Sequence, residues 1–203
     1  MTDFTEPIGK AHREVAQDAL PNVLIGREYA ASVEDVWAAC TDPDRLSRWF
    51  LPVSGDLQVG GRYQLAGNAS GEILTCAPPN LLHVTWGMGA EPASEVLLRL
   101  TAIDAETTAL ELEHRRCGDA EFWAKYGPGS VGAGWDLALY GLASNLAGVE
   151  LSDREAWTRT PEYAEFVRAS TGAWATAHEA AGASMADARA AAAETLRFFA
   201  PHA

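Results

Sequence analysis

His114 closes the run "TTALELEH" and is the side chain of this 203-residue chain best suited to moving a proton. An imidazole ordinarily titrates near pH 6.5, so it can give and take a proton at neutral pH. In an extended strand Leu110, Leu112 and His114 share one face, while Glu111, Glu113 and Arg115 share the other. A histidine on the apolar face has two readings. It is either an acid–base group inside a cavity or, more commonly, a core histidine bonded to a backbone carbonyl. Two phenols, Tyr126 and Tyr140, could donate to a ligand carbonyl or serve as ordinary interfacial core residues. Asp136 follows Trp135 and is expected to point outward, toward solvent or arginine partners. Arg62, Arg99 and Arg115 fall opposite the apolar strand faces, where surface ion pairs are the default.

Other chemistries are excluded by spacing. His83, His114 and His178 lie at no metal-ligand spacing, and Cys40, Cys76 and Cys117 do not complete one, so neither a metal nor a cofactor is expected. The three cysteines form no disulfide framework and read as reduced thiols. The segment "GPGSVGAGW" has glycines ahead of a helix, but lacks the Lys-Ser/Thr of a phosphate loop and the strand context of a dinucleotide site. No Gly-x-Ser-x-Gly elbow is present. A formal net charge of -13 opposes binding to nucleic acid or to an anionic membrane surface. Met1 is followed by polar residues rather than a basic-then-apolar leader, and no run reaches the roughly 18 apolar residues of a membrane span. A cytoplasmic protein is expected.

Several elements must position these groups. Residues 1–21 are mostly polar and read as a loose helix or a mobile segment. "NVLIGREYA" reads as a strand, and "SVEDVWAAC" as a helix capped by Ser32, with Asp35 as the capping-box acceptor. "TDPDRLSRW" follows as a short helix capped by Thr41 or Asp42, with Pro43 in its first turn. From about residue 55 the period changes to short alternating runs separated by Gly, Pro, Asn and Asp, which implies an antiparallel meander. If the alternation holds, Tyr63, Leu65, Trp86, Met88, Leu98, Leu100, Leu112 and His114 point inward. Residues 130–149 then form a long helix with Trp135, Leu139, Leu142, Leu146 and Val149 as its apolar stripe. Its glycines each cost roughly 0.8–1 kcal/mol relative to Ala, which implies close approach, a bend, or room left above a pocket. Two further helices follow, capped by Thr160 and Ser184, the second with a stripe of Met185, Ala188, Ala192, Leu196 and Phe199.

This order of elements resembles the START/SRPBCC superfamily, to which the birch-pollen allergen fold belongs. Within it the chain is similar to the heat-shock-protein ATPase activator-like branch of single-domain bacterial type. The residues that carry the resemblance are "VWAACTDPDRLSRWF", "GDLQVGGRYQL", "GEILTCAPPNLLHVTW", "TALELEH" and "GPGSVGAGWDLALYGL", across about residues 23–149. The resemblance implies an α+β helix-grip: a curved antiparallel sheet around a long helix, enclosing a largely apolar cavity, with two short helices closing one side. It divides the chain into a segment 1–21, a helix-grip domain 22–150 and a helical extension 151–203. It also places Trp49 and Phe50 at the cavity's end, as a structural plug before a ligand contact.

A cavity of this kind would hold an apolar or aromatic small molecule against Trp49, Phe50, Tyr63, Trp86, Met88, Leu98, Leu112 and His114 from the sheet side, and Trp135, Leu139 and Tyr140 from the helix. A binding module without catalysis is the first expectation. A polyketide cyclase or aromatase, with His114 as its acid–base residue, is the second. Co-chaperone action ranks last, because 203 residues leave no room for the separate N-terminal domain of the eukaryotic activators. The apolar stripe of the extension (Tyr163, Phe166, Trp174, Leu196, Phe199) has to be buried on its own domain, over the cavity mouth or in a twofold interface. A homodimer is favoured.

Overall fold

The computed structural model describes residues 5–17, 20–87, 94–118, 120–149 and 154–201. The chain forms two compact units. The sheet unit contains the end of strand β2 (Pro21–Tyr29), helices α2 (Val33–Thr41) and α3 (Pro43–Trp49), and strands β3 (Val53–Gly55) to β8 (Thr108–Arg115). Between them lie β4 (Arg62–Leu65), β5 (Ser70–Ala77), β6 (Leu81–Trp86) and β7 (Ser94–Ala102). The strand order is β1-β2-β8-β7-β6-β5-β4-β3, with β1 at His12–Gln17. Consecutive strands from β3 to β8 pair antiparallel, as the short alternating runs imply. The fold is α+β, of the helix-grip class.

Capping chemistry sets the two short helices. Ser32 Oγ accepts the Asp35 N–H at the start of α2, and Asp42 Oδ1 accepts the Arg45 N–H at the start of α3. The Asp35 carboxylate takes up the Arg45 guanidinium at 2.6 Å, which ties the two helices together. On β8 burial alternates residue by residue: Thr108, Leu110, Leu112 and His114 are buried and their neighbours are not. The other face of the sheet carries the pairs His83–Glu95, Arg99–Glu111, Arg99–Glu113 and Arg115–Glu113. Arg99 and Arg115 are therefore the surface ion-pairing residues that the alternation implies.

The helical unit contains α1 (Glu6–Gly9), β1, α4 (Ala120–Tyr126), most of α5 (Gly129–Leu146), α6 (Arg154–Trp157), α7 (Pro161–Ala180) and α8 (Met185–Phe199). It has its own core. Ile8, Tyr163, Phe166, Val167 and Ala200 are buried together, with Leu137, Tyr140, Trp157, Leu196 and Phe199 packed on them. The stripe of α7 is thus buried within this unit. Two expectations need correction. Val149 is not part of the α5 stripe: the helix ends at Leu146, Gly148 turns the chain at φ 69°, and Val149 is 57% exposed. On α8 the buried line is Ala188, Ala191 and Thr195, while Met185 is 54% exposed. Counting only large apolar residues hid a line carried by two alanines and a threonine, whose hydroxyl bonds the Tyr126 carbonyl at 2.9 Å.

Candidate functional site

The inward face of the sheet is built in cross-strand rows. Leu82, Leu98 and Leu112 form one row, Val84, Val96 and His114 the next, and Trp86 with Ser94 the last. Leu100 and Leu110 pair at the other end. Leu98, Leu100, Leu110, Leu112 and His114 are each at most 7% exposed, and Trp86 is half-buried. Tyr63 and Leu65 on β4 are buried as well.

One polar network is set into this face. His114 Nε2 lies 2.7 Å from Ser94 Oγ, and Ser94 Oγ lies 2.7 Å from the Trp86 carbonyl oxygen. The carbonyl can only accept, so the single hydroxyl proton goes to it, and Nε2 must be the N–H that donates to Ser94. Burial, which penalises the charged form, pushes the His114 pKa down from 6.5 to about 4. The imidazole is therefore neutral at pH 7, with its tautomer set by Ser94. The Trp86 indole meets its ring edge-on at a centroid distance of 6.2 Å. His114 is thus a buried histidine whose Nε2 is met by a side-chain hydroxyl.

Tyr63 packs 6.4 Å from Trp86, and its hydroxyl donates to the Thr85 carbonyl at 2.7 Å. Burial raises its pKa, which keeps the phenol protonated. Gly71 makes that arrangement fit, because a Cβ there would overlap the Thr85 carbonyl. Trp49 is buried and donates its indole N–H to the Ala39 carbonyl at 2.9 Å, fastening α3 to α2. Phe50 is half-buried against it, with ring centroids 5.5 Å apart. Met88 lies outside the described residues.

The remaining candidates belong to the helical unit. Trp135 and Leu139 are buried on α5. Tyr140 stacks on Trp157 and contacts Phe166, each at 5.5 Å, as part of that unit's core. Tyr126 packs between Phe122 and Phe198. Asp136 does find an arginine, but not at the surface. It is 4% exposed, with Oδ1 held by Arg13 Nη2 at 2.5 Å and Oδ2 by Ser170 Oγ at 2.6 Å and Trp174 Nε1 at 2.9 Å. Gly132 leaves room for that same Trp174, since a Cβ there would overlap the indole. Its missing side chain is filled by protein rather than left above a pocket.

Sequence reasoning passes over Ser94 and Arg27 and sets Asp136 at the surface. Ser94 follows the run 88–93 and shows no signal until its pairing with Trp86 is known. The burial of Asp136 depends on Arg13, 123 residues away. Arg27 was visible: it alternates with Val23, Ile25 and Tyr29 along β2 and so falls in a buried register. Among the described residues no group of three or more His, Cys, Asp and Glu side chains could hold a metal ion. Burial pushes the Cys40 and Cys117 thiols up to about 12, which makes both poor nucleophiles. No helix among the described residues is long and apolar enough to cross a membrane.

A helix-grip sheet with one buried apolar face and few polar tips defines a member of the SRPBCC superfamily. The family model for "Activator of Hsp90 ATPase homolog 1-like protein" matches residues 30–147, and the chain belongs to that family. It is similar to CalU16 from Micromonospora echinospora: 34% identity over 83% of this chain and 98% of that one, with a TM-score of 0.67 to the crystal structure. It is also similar to DynU16, described as a protein in the dynemicin biosynthetic locus, at 27% identity over 62% of this chain and 47% of that one, TM-score 0.51. The Aha1 dimer from Colwellia psychrerythraea, at 19% identity over 62% of this chain and 95% of that one, TM-score 0.50, shares the fold. No curated protein matches the chain.

Proposed function

We propose that this protein is a binding module for an apolar or aromatic small molecule, held against the inward face of the sheet. The observation that carries this reading is the Trp86–Ser94–His114 corner. It is a neutral, directionally fixed hydrogen-bonding group at the end of an otherwise apolar face. Apolar area removed from water would supply the affinity, at roughly 25 cal/mol per Å² before the costs of association. The polar corner would orient the ligand. The ligand-contacting set is Trp86, Leu98, Leu112 and His114, with Tyr63 behind them and Trp49 and Phe50 as the flanking plug.

The polyketide cyclase or aromatase reading draws on the likeness to DynU16, a protein of a biosynthetic locus. It is second because an imidazole whose conjugate acid titrates near pH 4 is a weak base at neutral pH. The co-chaperone reading, suggested by the family's description, stays last. Native mass spectrometry of the purified protein, followed by denaturing extraction, tests the proposal. A reproducible small-molecule adduct is expected, and it should be lost in Leu112→Trp, which fills the face. A bare mass that stays unchanged across fatty acids, aromatics and polyketides would overturn the reading. A homodimer is the proposed quaternary state, to be read as a dimer-sized species by light scattering.

A further inference from the structure

Arg27 is out of place for a surface cation. It sits on β2 in register with buried Ile25 and Tyr29, and its guanidinium carbon lies 5.4 Å from the centroid of the Tyr29 ring. Its Nε is buried and has no hydrogen-bond partner. Among the described residues no carboxylate lies within 4 Å of its guanidinium. Arg13, whose Nε is likewise buried, has Asp136 and the Ile8 and Ala11 carbonyls, while Arg99 and Arg115 have glutamates. Arginine does not shed its charge in proteins, and leaving a partly buried cation unpaired is unfavourable. The described residues match the other partly buried arginines and leave this one for a group that they do not supply.

Its position says what that would be. Gly26, the preceding residue, abuts β8 at Leu110, since a Cβ there would lie 3.5 Å from the Leu110 carbonyl. Arg27 therefore lies beside the Leu110 end of β8, and its alternation with buried Val23, Ile25 and Tyr29 puts it on the buried side of β2. His114 stands at the other end, four residues along β8, or roughly 13 Å in an extended strand. Between them the face offers Leu98, Leu110 and Leu112. One end presents a cation, the middle is apolar, and the far end is a neutral network whose protons are already assigned. A planar guanidinium matches a carboxylate with two parallel hydrogen bonds. A lone cation in a chain of net charge -13 neutralises one negative charge, not two.

We propose that the ligand of this face is an amphipathic monocarboxylic acid, its carboxylate on Arg27 and its apolar body lying along Leu110, Leu98 and Leu112 toward Trp86. This rests on the small-molecule reading above and names the class of ligand. The test is calorimetric titration of the wild-type chain and Arg27→Gln with dodecanoic acid, dodecanol and methyl dodecanoate, and with naphthoic acid and naphthalenemethanol. In the wild type the acids should bind at least tenfold more tightly than the matched alcohols, about 1.4 kcal/mol. Arg27→Gln should lose that preference while keeping the wild-type affinity for the alcohols. Arg27→Lys keeps the charge without the fork and should retain part of the preference. It also serves if the glutamine variant does not fold. Equal binding of acid and alcohol by the wild type, or an undiminished preference in Arg27→Gln, overturns the assignment to Arg27 and leaves the apolar site standing. Failure of every probe to bind the wild type overturns both.

Discussion

The protonation state of His114 sets a measurable dependence of stability on pH. Its folded pKa is about 4, against 6.5 for an exposed imidazole, and burial is the cause. Between these values the unfolded chain binds a proton that the folded chain refuses. Stability therefore falls as pH drops through that window, and is unaffected by this group well above 6.5. The gap corresponds to about 3 kcal/mol at 1.36 kcal/mol per pH unit, of which about 2 kcal/mol should be lost between pH 7 and pH 5. Urea unfolding at the two pH values measures it. Carboxylates and His178, whose pKa burial also lowers, add their own slopes. The control is His114→Gln, whose amide N–H can still donate to Ser94 Oγ. Wild type minus variant isolates the imidazole: the variant should lose about 2 kcal/mol less than wild type over that range. Equal losses in the two proteins would refute the claim that His114 is held neutral by burial. A smaller loss in wild type than in the variant would reverse the sign, and would mean that a buried anion accompanies the ring.

The remaining predictions concern packing and polar matching. Asp136→Ala leaves Arg13 buried without its counter-charge and should cost about 3–5 kcal/mol in chemical denaturation, while the Arg13→Met/Asp136→Leu double variant should recover most of that loss. Gly132→Ala should destabilise by about 1–3 kcal/mol, because its methyl group meets the Trp174 indole, whereas Gly134→Ala meets open space and should stabilise α5 by up to about 1 kcal/mol. A thermal melt of the two single variants gives opposite signs if this packing is right. Gly71→Ala should displace Thr85 and break the Tyr63 hydroxyl bond, which would appear as altered Trp86 fluorescence together with lower stability.

What could be read from the chain follows the range of the interaction. Caps act across three residues, and both Ser32 and Asp42 bond where the sequence puts them. Strand alternation acts across two, and β8 carries Leu110, Leu112 and His114 on its buried face as expected. The segment 1–21 shows neither pattern, yet it includes β1, whose Arg13 pairs with Asp136. No local rule could foresee a bond across 123 positions. Of the three alternatives for the glycines of α5, close approach holds at Gly132, where the group is Trp174 of α7, and not at Gly134, which meets open space. The candidate site was legible as a list of strand positions. It was not legible as chemistry, because Ser94 reaches His114 only through strand pairing that sets it opposite Trp86.

Burial alone does not separate a site from a core, since Asp136 and His114 are almost equally hidden. Completeness of polar matching does better. Around Asp136 both carboxylate oxygens are taken, and the guanidinium that neutralises them bonds two carbonyls besides. Such a cluster has nothing further to offer a ligand, and its function is to hold β1, α5 and α7 together. On the sheet face the matching is one-sided. The hydroxyl of Ser94 and the Nε2 proton of His114 are committed, while Arg27 carries a charge that the described chain does not answer. Folding alone would favour methionine or leucine at position 27, because a hydrophobic side chain of similar size avoids the desolvation of a cation. An unliganded Arg27→Met variant should therefore melt at a temperature no lower than wild type. A clear drop in melting temperature would show that Arg27 serves the fold itself, and the argument from its missing partner would fail.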